Sequence, residues 1–312
     1  MTDPARLTRP EAQALAREVL AEHRPGFTYG LGCLKNLDRP MRAQVFCAAH
    51  PREHLVVKVF APAFAEKARA QALRQRAVAT QMSDGPWRAP EVLFFDELRL
   101  VLGMAYAPGP SLAELWPQLP AEKRDVALEA AGSWLAALHR PTLEPGKLRP
   151  RGQLDWLAGL LQRAREGGDG LPDVEKFSRA LSDLETLFPE MRGLPATRAV
   201  THRDLHLANL VSAEGALWGL DFENDAPDAP YRDLVALLID ALASAPEPDA
   251  PRFAAALARG YRDDITAPAA RLFAQRAYAL GTWARTPAEP SLRQGARLAA
   301  AKMILAADKP LF

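Results

Sequence analysis

Cysteine is nearly absent. The chain of 312 residues has two, Cys33 and Cys47, without CxxC spacing. That argues against a disulfide scaffold and against a cysteine-built structural zinc site. An excess of charge is absent too: 39 Lys and Arg stand against 38 Asp and Glu, a formal net charge of +1. Binders of nucleic acid or anionic membrane usually carry a basic surplus or stripe, so neither partner is expected. No apolar run approaches the roughly 18 residues of a membrane span. The opening MTDPARLTRPEAQALAREVL has no short apolar core with a cleavage site, so no secretory signal is expected and cytoplasm is the expected compartment. GxxxxGK[ST], HExxH, GxSxG and the dinucleotide-binding glycine fingerprint are all missing, which removes the chemistries they serve.

What is present is an ordinary globular balance, 48% apolar and 25% charged, long enough for two domains. An amphipathic helix is expected to start near Pro10. Phe27–Leu34 and Ala43–Ala48 read as strands separated by LKNLDRP, whose Asn36, Asp38 and Pro40 favour a turn. Leu55–Phe60 (LVVKVF) is a β-branched run holding one lysine. Pro62–Met82, rich in Ala, Gln and Arg, favours helix. Val92–Phe95 and Leu98–Met104 read as a hairpin turning at Asp96–Glu97. From Ser111 the texture becomes helical. Ala131, Trp134, Leu135 and Leu138 make one apolar stripe within Asp125–His139. Leu154–Arg165 and Val174–Leu187 follow, joined by EGGDGLPD, and Tyr231–Ala307 is helical again. The fold class expected is α+β: residues 1–105 as a small sheet-rich part, 106–312 as a larger helical part, joined near Ala105–Gly109.

A strand-like island, Ala199 to Asp221, interrupts the helices. It holds THRDLHLANLV and then GLDFEND. Asp204 falls in a short loop after Ala199–Thr201. Asn209 opens the next strand and Asp221 closes the one after it. A hairpin of that form sets Asn209 beside Asp221. A carboxylate and an amide oxygen, completed by phosphate oxygens, suit Mg²⁺. Asp204 is then free to accept a proton from an attacking hydroxyl.

HRDLHLAN resembles the catalytic loop of the protein-kinase-like superfamily, and LDFE resembles the metal-binding segment that follows it. His206, two after the aspartate, is similar to the aminoglycoside/choline phosphotransferase family. LAALH (Leu135–His139), MAYAPGPSL (Met104–Leu112), LVVKVF and Asp233 in YRDLVALL resemble further segments of that family, in the same order, over roughly residues 27–240. The resemblance implies a bilobal protein-kinase-like fold and an ATP-dependent phosphotransferase acting on a small-molecule hydroxyl. It implies Asp204 as catalytic base and Asn209 and Asp221 as Mg²⁺ ligands. Lys58 would contact the ATP phosphates, backbone near Tyr106 and Ala107 would pair with adenine, and Asp233 would brace the catalytic loop. Glu223 is a third metal contact or a solvated neighbour. His206 supports metal or substrate, or hydrogen-bonds the backbone.

The sequence departs from the family at two places. Tyr29-Gly30-Leu31-Gly32 offers Gly30 and Gly32 where a fuller glycine loop is usual. The helix after Lys58 lacks a glutamate at the spacing the family pattern implies. Counting back from Pro90 reaches Gln75, and the one glutamate of the helix, Glu66, comes early. These departures leave open a nucleotide-binding regulatory module without turnover. A kinase of a lipopolysaccharide sugar or of protein is a further alternative. DFENDAPDAPYRDL runs straight into a helix, without room for a long activation segment, which disfavours a protein substrate. The acceptor is expected to be cationic rather than anionic: Asp221, Glu223, Asp225 and Asp228 would make an acidic cleft unless Arg203 or Arg232 cancels it. Tyr261, Phe273, Tyr278 and Trp283 could face an ammonium group.

Overall fold

The structure is a computed structural model that describes residues 6–34, 41–167, 170–213 and 215–312. The turn expected from Asn36, Asp38 and Pro40 lies outside the described residues, as does part of EGGDGLPD. The class is mixed α+β, sheet-rich first and helical afterwards. The chain divides into two compact units, Met1–Gly109 with Val211–Asp225, and Pro110–Leu210 with Ala226–Phe312. The boundary expected from the sequence falls once, after residue 105. The structure instead returns Val211–Asp225 to the first unit, for a reason seen in its strand pairing.

The first unit is built on an antiparallel sheet in the order β1-β2-β3-β6-β5, comprising Gly30–Cys33, Ala43–His50, Glu53–Phe60, Val101–Ala105 and Val92–Asp96 respectively. Strand periodicity sorts the side chains of β3 between its two faces. Leu55, Val57 and Val59 join Ala12, Ala16, Val19 and Leu20 of α1 (Arg9–His23) in one core. Phe60 on the other face packs with Ala68 and Ala72 of α2 (Ala65–Gln81). Helix α1 starts at a capping box: Thr8 Oγ1 accepts from Glu11 N, and the Glu11 side chain reaches back to Thr8 N. A smaller sheet, β4-β10-β9, joins Trp87–Arg88, Ala216–Gly219 and Leu210–Ala213. Here β10 runs parallel to β4, Leu217 opposite Trp87 and Trp218 opposite Arg88. That pairing carries the later segment back. Gly109 is fixed by the same hairpin: its φ is +110°, and a Cβ there would lie 2.5 Å from Ser212 O.

The second unit is helical around a three-stranded sheet, β11-β8-β7: Pro227–Asp228, Pro195–Val200 and Glu144–Lys147. Its short helices are α3 (Leu112–Leu115) and α7 (Phe188–Met191). The longer ones are α4 (Ala121–His139), α5 (Arg151–Arg165), α6 (Val174–Thr186), α8 (Tyr231–Ser244), α9 (Ala250–Tyr261), α10 (Pro268–Ala284) and α11 (Leu292–Leu305). The apolar faces of α5, α6 and α10 share one core through Leu157, Phe177, Leu181, Phe273, Leu280 and Trp283. Helices α4 and α9 touch backbone to backbone. A Cβ on Gly260 would lie 2.0 Å from Glu129 O, and one on Gly132 would lie 2.2 Å from Leu257 O. Only glycine permits that approach. No described helix is long and apolar enough to cross a membrane.

Candidate active site

In the first unit Lys58 sits at the centre of the sheet, opposite Val45 on β2 and Leu102 on β6. It is buried on the α2 face, so it needs partners. Its Nζ donates to Asp221 Oδ1 and to Glu223 Oε1, each at 2.8 Å. Burial alone would pull the lysine pKa down, but those two carboxylates outweigh it and hold the pKa above the ordinary value. Glu223 feels burial in the opposite direction, yet Lys58 and Lys67 keep it below the usual carboxylate range. Asp221 has φ +66°, a left-handed conformation uncommon outside glycine but open to aspartate more than to most residues.

Helix α2 reaches this cluster through Gln71 and Lys67, and not through Gln75 or Glu66. Gln75 is buried, and its Nε2 donates to Pro90 O at 2.6 Å. Glu66 is exposed. Gln71, one turn before Gln75, donates to Asp221 Oδ1 at 3.0 Å. Counting back from Pro90 therefore lands one turn late: Pro90 carbonyl takes the Gln75 amide, and the carboxylate cluster takes the residue four earlier. Glu223, left open by sequence, joins this cluster. A cavity of about 360 Å³ is lined by apolar side chains together with Lys58, Lys67, Arg42, Arg6 and Glu223, so its charged groups are mainly basic. Gly30 and Gly32 fall inside β1. A Cβ at Gly32 would meet nothing within 4 Å, and at Gly30 only Ala49 O at 3.9 Å. Tyr106 is 37% exposed, while Ala107 is buried.

In the second unit β8 ends at Val200 and the chain enters the loop of His202 to Asn209. Arg203 takes φ +67°. A strained residue of this kind persists when its surroundings hold it, and Asp233 does so. Its Oδ2 accepts from His202 N at 2.6 Å, and its Oδ1 accepts from Arg203 N at 2.8 Å. Asp233 is fully buried, and its Oδ2 also meets His139 Nε2 at 3.0 Å. Burial would raise its pKa, but His139 and the backbone amide of His202 hold it lowered. His139 Nδ1 in turn meets Tyr261 Oη at 3.0 Å. Asn209 Nδ2 donates to Asp204 O at 2.8 Å, which leaves the amide oxygen as its acceptor end. Asp204 is exposed. His206 has a buried Nδ1 without a hydrogen-bond partner among the described residues, and burial lowers the ring's pKa toward the neutral form.

Asp240, not among the residues expected from sequence, is a second brace. It is buried, accepts from Leu207 N at 2.9 Å on Oδ2, and takes Arg297 at 2.6 Å on Oδ1. Asp233 and Asp240 lie seven apart on α8, two helical turns, so both face the loop. The signal was there in YRDLVALLID: an aspartate inside an apolar run, in phase with the first.

Asp204 borders a cavity of about 740 Å³ lined by α5, α8, α10 and α11. The four acidic residues expected to make an acidic cleft each face a basic partner. Asp228 pairs with Arg232 at 2.7 Å and Arg203 at 3.5 Å. Asp221 and Glu223 pair with Lys58, and Asp225 acts on the charge of Arg74. Of the four aromatics, Tyr278 reaches the cavity. Phe273 and Trp283 are core, and Tyr261 holds His139. Of the two supports for a cationic acceptor, the acidic residues are answered by basic partners and one of the four aromatics reaches the cavity.

The sequence matches the model of the phosphotransferase enzyme family over residues 42–273. No curated protein sequence matches the chain. Among solved structures, a choline/ethanolamine kinase family protein from Mesorhizobium loti is similar with a TM-score of 0.63 and 19% identity, covering 95% of this chain and 96% of that one. A macrolide 2'-phosphotransferase from Brachybacterium faecium gives 0.58 and 16%, covering 91% and 97%. An amicoumacin kinase in complex with AMP-PNP and Ca²⁺ gives 0.55 and 15%, covering 97% of each chain. At these identities the solved structures establish the kinase-like fold, and the family match, spanning most of the chain, places this protein in the phosphotransferase enzyme family.

Proposed function

We propose that the chain transfers the γ-phosphate of ATP to a hydroxyl of a small molecule. One observation carries the reading furthest: a loop whose backbone is held by two buried aspartates, Asp233 and Asp240, presents Asp204 to a cavity of about 740 Å³. That volume suits a small-molecule acceptor. Asp204 accepts the hydroxyl proton as the oxygen attacks. Lys58, kept charged by Asp221 and Glu223, is the group for the nucleotide phosphates, with the basic side chains of its cavity in support. The open space over Gly30 and Gly32 suits a close approach of phosphate to backbone. Tyr106 and Ala107 are proposed for adenine.

Among the described residues no group of three or more His, Cys, Asp or Glu could hold a metal. The oxygen donors proposed for one, Asp221, Asn209 and Glu223, are hard and few. They fit Mg²⁺, which takes most of its shell from phosphate and water. When bound, the ion would neutralise charge on the phosphates. The chain's own part is to hold Asp221 beside Lys58 and Gln71 and to orient the Asn209 amide through Asp204 O. The protein, incubated with γ-labelled ATP, Mg²⁺ and pooled hydroxyl compounds, should pass label into an alkali-stable phosphate ester. Nucleotide binding without any labelled ester would favour the regulatory-module alternative.

A further inference from the structure

The cavity at Asp204 is bordered by five arginines: Arg203, Arg232, Arg285, Arg293 and Arg297. Asp204 is the one carboxylate in its lining. Four of the arginines are answered from behind the wall, two by Asp228 and two by Asp240. Both aspartates are also engaged elsewhere: Asp228 accepts from Tyr278 Oη at 3.1 Å, and Asp240 accepts from Leu207 N. Asp233, deeper still, is committed to His139 and two backbone amides. The fifth arginine, Arg285, has no ion-pair partner among the described residues. Its guanidinium lies over the Trp156 indole, 4.9 Å from the ring centroid. Partial burial and the like charge of Arg232 both weaken its charged form. Five guanidiniums against Asp204, Asp228, Asp240 and the buried Asp233 still leave a positive excess. Neutral His206 adds none.

A cationic acceptor would enter this cavity against its field, whereas an anion would be drawn in. Guanidinium groups bind carboxylate and phosphate in a fork geometry, and the bond strengthens where water is displaced. Resting on the phosphotransferase reading above, we propose that the acceptor is a hydroxyl compound bearing a carboxylate or phosphate group, which Arg285 and Arg232 hold while its hydroxyl meets Asp204. The acceptor O–H passes its proton to the Asp204 carboxylate, its oxygen bonds to the γ-phosphorus, and the bond from that phosphorus to the β–γ bridging oxygen breaks. ADP leaves with that electron pair. Gln153 and Gln294, on the same lining, are the neutral donors available to the acceptor's remaining hydroxyls.

The test is an ADP-release assay with product detection at low salt, on the full chain with ATP and Mg²⁺. Its panel holds glucuronate and gluconate, glucose 6-phosphate and glycerol 3-phosphate, glucose and glycerol, and glucosamine, choline and an aminoglycoside. We expect kcat/KM for an anionic member to exceed that of its neutral parent by at least about tenfold, the carboxylate and phosphate arms telling which anion is used. Arg285→Gln should then raise KM for that compound by roughly 10–100-fold, one charge-assisted hydrogen bond's worth, with Arg285→Lys intermediate. Preferential turnover of the amines or the neutral sugars would overturn the proposal and leave the kinase assignment standing. Absence of ATP binding by calorimetry would instead sink the kinase reading. If ATP binds and no panel member is phosphorylated, sulfate titrated into the ADP-saturated protein decides. Roughly tenfold weaker sulfate binding in Arg285→Gln supports the proposal, and equal binding in the two proteins overturns it.

Discussion

Replacing Asp233 by asparagine should cost the fold a few kcal/mol and the activity more. The carboxylate accepts from His202 N at 2.6 Å, Arg203 N at 2.8 Å and His139 Nε2 at 3.0 Å, with no exposure to water. Asparagine keeps one oxygen. Its NH₂ must face one of the two backbone N–H groups, so a buried donor loses its acceptor and meets another donor. An unsatisfied buried group costs about 1–3 kcal/mol, and loss of the charge weakens the bonds that remain. About 2–3 kcal/mol is expected, or a fall in Tm of roughly 4–6 °C at roughly 2 °C per kcal/mol for a chain of this length. Alanine strands all three donors and should approach the roughly 3–5 kcal/mol of a broken buried pair. Arg203 at φ +67° is held by the same carboxylate, so its release should move Asp204 and lower kcat beyond the stability effect. The pH dependence has a definite sign. The folded pKa of Asp233 lies below its ordinary 3.8, so its contribution is fully present above that value and is lost as pH falls through the folded pKa. The wild-type advantage over Asp233→Asn should therefore be flat from about pH 5 to 8 and shrink only in stronger acid. Thermal unfolding monitored across pH, with steady-state rates, reads both effects. A variant within about 0.5 kcal/mol of wild type, with unchanged kcat, would refute the bracing argument.

Other outcomes follow from the same contacts. Gln71→Ala should raise KM for ATP and be non-additive with Lys58→Met, because both touch Asp221. Gln75→Ala should be additive with Lys58→Met and destabilise by about 1–2 kcal/mol through the abandoned Pro90 carbonyl; non-additivity at Gln75 in a double-mutant cycle would reverse this assignment. Asp221→Ala should weaken Mg²⁺-dependent nucleotide binding more than Asn209→Ala, since a carboxylate offers net charge and an amide a dipole; equal, negligible effects in a Mg²⁺ titration would remove both from the metal. Gly260→Ala should destabilise by about 1–3 kcal/mol in a denaturant melt, because its Cβ would meet Glu129 O at 2.0 Å; a neutral change would mean that α4 and α9 separate freely.

The parts legible in the sequence were those with a strong local signature. The β-branched run of β3 and the apolar stripe of α4 are read along a few consecutive residues. What escaped depends on partners distant in the chain. Glu144–Lys147 contains Pro145 and Gly146, poor strand formers, and becomes β7 because β8 pairs with it. The return of residues 211–225 to the first unit rests on the parallel match of β10 with the two-residue β4. Gln71 was passed over because helix phase cannot be fixed from a distant proline, and an error of one turn preserves the face while changing the residue. The charge balance around the site was hidden for a different reason. Acidic residues near Asp221 are visible in sequence, but their pairing with Lys58, Arg203 and Arg232 is a property of the fold.

The central claim is that Asp204 takes the acceptor's proton during phosphoryl transfer. Asp204→Asn keeps the shape of an exposed side chain and removes its basicity, so its thermal unfolding should match that of wild type. The rate of γ-phosphate transfer from ATP to the acceptor, compared under saturating nucleotide, should fall by roughly 10²–10⁴-fold. A folded Asp204→Asn protein that transfers phosphate at the wild-type rate would contradict the account.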